Sequence, residues 1–121
     1  MSVMGNVLVV VVALLHAWFL VLEMFLWTKP LGLKTFRNTP EHARDSATLA
    51  ANQGLYNGFL SAGLIWGLLA STPSHAFAVK VYFLSCVIIA GCYGAATVSK
   101  RIFVIQAVPA IAALALLALG R

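Results

Sequence analysis

Two ionisable side chains, His16 and Glu23, stand seven residues apart in an apolar run. Seven residues is about two helical turns, so both project from one face. A carboxyl and an imidazole on a shared face can move a proton or hold a cation. Inside a membrane a Glu costs a few kcal/mol unless it is partnered or neutralised. Its candidate partners are Asn52, Gln53, Tyr56 and Asn57 in a second run, Tyr93 in a third and Gln106 in a fourth. All of these donate or accept hydrogen bonds. For His16 alone, a packed and hydrogen-bonded histidine is the simpler reading. No metal centre is expected, because no third strong ligand stands at a defined spacing from His16 and Glu23. Neither a catalytic triad nor a phosphate-binding loop is written in the chain, and no cofactor is implied. His42 and His75 fall in connections or at interfaces and are assigned no role.

What positions these groups is a bundle with the bilayer as solvent. Of 121 residues, 62% are apolar and 9% charged, whereas soluble domains carry about 25% charged residues. Crossing a ~30 Å hydrocarbon core takes about 20 apolar residues. Four runs qualify, at about 3–27, 46–70, 76–98 and 102–120. The expected fold is therefore all-α, a polytopic four-transmembrane-helix bundle occupying 1–121 as one domain. The net charge of +5 sets eight Lys and Arg against Glu23, Glu41 and Asp45. The basic residues sit at helix ends, as the positive-inside rule requires. The expected partner is the lipid bilayer and not nucleic acid. Cys86 and Cys92 are six residues apart, about 9 Å along a helix axis, too far for a disulfide. Both are expected to be buried structural thiols.

The first run has no basic segment before it and no small-x-small cleavage site, so it is expected to remain as a helix. Trp27 should lie in the headgroup belt, with Pro30 closing the helix. The connection 28–45 carries Lys29, Lys34, Arg37 and Arg44, with Leu31, Leu33 and Phe36 able to lie on the membrane surface. Thr39-Pro40-Glu41 is a helix start, with an N-cap hydroxyl, a proline at the first helical position and an acid in the first turn. The helix should run from there into the second span without a break. Ser71-Thr72-Pro73-Ser74 is a turn, and Lys80, one turn inside the third span, should snorkel to the near interface. Ser99-Lys100-Arg101 is a tight basic connection, and Pro109 should kink the last span.

Lys29, Lys34, Arg37, Arg44, Lys100 and Arg101 fall on one side of the bundle, with Lys80 and Arg121 on the other. Positive-inside then places 28–45 and 99–101 in the cytoplasm and both termini outside the inner membrane. On a helical wheel His16 and Glu23 share a seam with Gly5, Val9, Val12, Leu20 and Trp27. Asn52, Gln53, Tyr56 and Asn57 share an arc of about 140°, which Gly63 and Gly67 continue. Gly54, Gly58 and Ala62 form a separate stripe on the opposite side. The Gly54-x-x-x-Gly58 and Gly63-x-x-x-Gly67 spacings let helices approach closely. Depth counting puts Glu23, Asn52, Gln53, Tyr93 and Gln106 in one polar layer, which His16, Tyr56 and Asn57 extend inward.

Three blocks carry a family resemblance: Glu23-Met24-Phe25-Leu26-Trp27-Thr28, then Pro30, Gly32 and Phe36, then the continuous segment from Leu49 to Gly67. Together they resemble a family of small bacterial four-helix integral membrane proteins catalogued as a domain of unknown function. The Asn52-Gln53-Gly54-Leu55-Tyr56-Asn57-Gly58 segment is its most specific part. The resemblance implies a stand-alone inner-membrane protein and no particular biochemistry.

Three classes of function fit these residues. A binder or transporter would hold a small apolar or cationic ligand at Glu23 and couple it to proton movement. It would work as a homodimer, because four short helices enclose little volume. A structural subunit would use the polar layer as interhelical glue, worth about 0.6 to 2 kcal/mol per hydrogen bond. A membrane enzyme of isomerase type would place Glu23 and His16 against a lipid or isoprenoid substrate. The binder or transporter ranks first, because an ionisable pair is more than glue requires.

Overall fold

The computed structural model describes residues 2–120, and every regular element among them is helical. The described residues form five helices: α1 (Val3–Met24), α2 (Pro30–Phe36), α3 (Pro40–Leu69), α4 (Pro73–Thr97) and α5 (Lys100–Leu119). Three of them, α1, α4 and α5, are long and apolar enough to cross a membrane. The second expected span lies inside α3, which at 30 residues is the longest helix but is not one of those three. Asn52, Gln53 and Asn57, besides the charged first turns, lower its hydropathy. Arg121, counted above on the side opposite the basic loops, lies outside the described residues.

Local chemistry sets most of the helix boundaries. The Thr39 hydroxyl accepts from His42 N–H at 3.1 Å, and the Thr39 carbonyl accepts from Ala43 N–H at 3.0 Å. Pro40 therefore opens α3 as its sequence signature predicts, and the helix runs unbroken to Leu69. Pro73 opens α4 after Thr72, whose hydroxyl makes no cap hydrogen bond, so the helix starts inside the expected Ser71–Ser74 turn and not near residue 76. Ser99 caps α5, its hydroxyl accepting from Arg101 N–H at 3.3 Å.

The end of α1 departs from expectation. The helix stops at Met24, where the N–H groups of Phe25 and Leu26 both donate to the Val21 carbonyl. Pro30 does not close α1; it is the first residue of α2, where its missing N–H costs nothing. A Cβ on Gly32 would overlap the Leu26 carbonyl, so only glycine lets α2 cross the preceding turn this closely. Arg37 then ends α2 in the left-handed region, φ 57°.

The helices are distributed over two compact units, described separately. One comprises the residues up to Leu14 and from Leu60 onward. Its core packs Val9, Val12 and Ala13 of α1 with Leu64 of α3, Leu84 and Val87 of α4 and Ala110, Ala113 and Leu117 of α5. Gly91 of α4 meets the Ala107 backbone, and Gly94 meets Ile102, so α4 and α5 approach closely. The kink expected from Pro109 takes a specific form, a π-helical stretch over Phe103–Ala107. Proline has no N–H and its ring crowds the carbonyl four residues back. A wider turn just upstream relieves both constraints.

The other unit, Leu15–Phe59, holds the end of α1, all of α2 and the first two thirds of α3. The Trp27 indole N–H donates to the Ser46 hydroxyl at 3.1 Å, and its ring lies 4.8 Å from Phe36. This clasp joins the turn after α1 to both α2 and α3. The two cysteines are free, but the expected burial fails: Cys86 is half-buried and Cys92 exposed.

Candidate functional site

Glu23 occupies the last turn of α1 and is only 6% exposed. It belongs to the seam read from the sequence, since Gly5, Val9, Val12 and His16 are buried as well. From α3, the Asn57 side-chain N–H donates to the Glu23 carboxylate at 2.5 Å. Asn57 is itself 8% exposed, so both members of the pair are withdrawn from solvent and lipid. Glycine makes this approach possible. A Cβ on Gly54 would stand 3.0 Å from Glu23 Cβ, 2.8 Å from Met24 Cγ and 3.3 Å from the Leu20 carbonyl. One turn on, a Cβ on Gly58 would meet the Leu20 side chain.

The arc of polar residues on α3 is therefore rotated from its expected orientation. Gly54, Asn57, Gly58 and Ser61 form the inward stripe, spread over about 100° of the helix at 100° per residue. Asn57 is the one edge of the predicted arc that turns inward. Asn52, Gln53 and Tyr56 are exposed, with Tyr56 edge-on to Phe59 at 5.7 Å. Gly54 and Gly58 are the walls of the Glu23 site and not a separate packing surface. The reason is steric: α1 can come this close only where α3 has no side chain to displace.

His16 is fully buried, edge-on to Phe19 at 5.3 Å, and its imidazole is not free of partners. Tyr93 and Gln106 belong to the other unit, where Tyr93 is 71% exposed and Gln106 is half-buried and partnered. Asn52, Gln53, Tyr56 and Tyr93 thus do not share the buried environment of Glu23. Gly63 makes room for the Phe83 ring, and Gly67 for the stem of Lys80. Among the described residues, no three His, Cys, Asp or Glu side chains converge.

Two polar groups, Asn6 and Ser61, escaped the sequence reading, and Lys80 was misplaced by it. Lys80 does not snorkel: it is 2% exposed, and its ammonium donates to the Asn6 side-chain oxygen at 2.8 Å. The Ser61 hydroxyl donates to the Ala13 carbonyl at 2.8 Å, joining α3 to α1. The available signal for the first was Asn6 itself, an amide in the first apolar run with Lys80 as a possible partner. Ser61 left no signal, because a hydroxyl is tolerated on any helix face.

Over residues 10–118 the chain matches the family described as Protein of unknown function (DUF1304). The chain belongs to this family. It is similar to Uncharacterized protein YpaA of Lactococcus lactis subsp. lactis (strain IL1403), with 31% identity over 116 residues, covering 94% of this chain and 96% of that one. No solved structure matches. The DUF1304 match includes Glu23, Asn57, Gly54 and Lys80 and leaves out Asn6, the partner of Lys80.

Proposed function

We propose that this DUF1304 protein is a four-span inner-membrane protein that binds a small cationic or apolar ligand, and carries a proton, at Glu23. The observation behind this reading is the buried carboxylate of Glu23 held by the amide of Asn57. A glutamine at position 23 would accept the same hydrogen bond without the cost of an acid in a membrane helix. Glue alone does not call for an acid, whereas ligand charge or proton exchange does. Asn52, Gln53 and Tyr56 would meet a second copy of the chain from the exposed side of α3. The loops 28–45 and 99–101 face the cytoplasm in this reading, with both termini outside.

The test uses protein reconstituted in vesicles under an imposed pH gradient, with ethidium and tetraphenylphosphonium as probes. Wild type should dissipate the gradient when a probe is added, and Glu23→Gln should not. Infrared difference spectra should show a carboxyl band that responds to bulk pH and is missing in Glu23→Gln. A carboxyl band indifferent to pH, or equal dissipation by both proteins, would overturn the proposal.

The fit of Gly54 and Gly58 against α1 favours a second reading, in which the pair is a structural pin between α1 and α3. Under that reading Glu23→Gln changes thermal stability in detergent and leaves proton movement untouched.

A further inference from the structure

Between α4 and α5 runs a groove of about 520 Å³ lined by Cys92, Ala95, Ala96, Lys100, Phe103 and Val104. Its shape follows from the packing beside it. Gly91 on Ala107 and Gly94 on Ile102 draw the two helices together. Next to that contact, the small side chains of Ala95, Ala96 and Cys92 leave a channel bordered by Phe103 and Val104. The groove starts at the turn between the helices and extends about 6 Å along α5, from Lys100 to Val104. Lys100 is the one charged residue in its lining, and it stands at the turn end.

Charge and apolarity are thus ordered along one line, cation at the turn and hydrocarbon surface below it. Arg101 adds a second exposed cation at the same turn. No acidic residue occurs anywhere in α4 or α5, so neither helix offers these cations a partner. We infer that this groove is a binding site for an anionic phospholipid, with its phosphate at Lys100 and Arg101 and the upper part of one acyl chain against Ala95, Ala96 and Phe103. A zwitterionic lipid brings its own cation beside the phosphate and gains little from two more. A headgroup with net negative charge gains from both, about fivefold in affinity for each basic residue near the membrane surface. The inference is independent of any role for Glu23.

Cys92 reports on occupancy, because it is exposed and lines the groove. The full-length protein is placed in nanodiscs of phosphatidylcholine alone or with phosphatidylglycerol and labelled with a maleimide, with peptide mass mapping to separate Cys92 from Cys86. Phosphatidylglycerol should slow labelling of Cys92, and inorganic phosphate added to phosphatidylcholine discs should not. Native mass spectrometry should show phosphatidylglycerol retained on the wild-type protein. Lys100→Gln with Arg101→Gln should weaken that retention about 30-fold, while Lys34→Gln with Arg37→Gln should leave it intact. Ala96→Phe, which fills the groove and keeps both charges, should also lose the retained lipid. Equal protection of Cys92 in both lipids, protection by phosphate alone, or protection that follows protein concentration as in a dimer would overturn the inference. So would undiminished retention in the folded double variant and in Ala96→Phe.

Discussion

At the scale of single residues, Glu23 and Asn57 depend on each other unequally. Glu23→Gln preserves an acceptor for the Asn57 amide, so its folding stability should stay within about 1 kcal/mol of wild type. Asn57→Ala instead strips a buried carboxylate of its hydrogen bond and should cost about 1–3 kcal/mol. Thermal unfolding of the two variants in the same detergent checks the difference. Equal losses would mean that the hydrogen bond is not what holds the carboxylate. His16 and Glu23 were legible as a buried pair because a seven-residue spacing on a helix is geometry that needs no partner. Asn57 was legible as a member of a polar arc, but nothing local distinguished it from Asn52, Gln53 or Tyr56. Lys80 was misread for a related reason. A lysine one turn inside a span can snorkel outward or turn inward, and only Asn6 on α1 decides which.

At the scale of elements, the turn after α1 is the least forgiving segment. Gly32 lies against the Leu26 backbone, which cannot move aside as a side chain tip can. Gly32→Ala should therefore cost 3 kcal/mol or so, the upper part of the range for overpacking. It should also loosen the clasp of Trp27 on Ser46 and Phe36. Tryptophan fluorescence and thermal unfolding would register both effects, and a wild-type melting temperature would show that α2 does not pack this closely. The helix start at Pro40 was readable because capping uses residues within one turn of the boundary, whereas Pro73, read as part of a turn, opens α4 without a side-chain cap. The π-helical turn before Pro109 was readable only as a disturbance, since proline forbids a regular turn without choosing its replacement.

At the scale of the whole molecule, the length of α3 bears on how many helices cross the bilayer. Pro40–Leu69 has 30 residues, about 45 Å of helix, against a hydrocarbon core of ~30 Å. The polar first turns can therefore lie outside the core while the remainder crosses it. The four-span proposal expects a cysteine at position 34 and one at position 75 to face opposite compartments. With a membrane-impermeant maleimide on intact spheroplasts, His75→Cys should label at once and Lys34→Cys only after permeabilisation. Labelling of both from the same side would remove α3 from the set of crossing helices.

The sequence by itself determined that the chain is helical, that α1 and α3 begin at Val3 and Pro40, and that His16 and Glu23 lie on a buried seam. These follow from apolar run length, capping chemistry and helical period, all of them local. The tertiary structure alone decided which side of α3 meets α1, that Lys80 turns inward to Asn6, and that Glu23 bonds Asn57. The physical reason lies in α3 itself, where small or polar residues occur on nearly every face. Hydropathy therefore supplies no contrast to set its rotation. Its orientation is set by closest approach: α1 settles against Gly54 and Gly58, and Asn57 is the amide that this contact carries to Glu23.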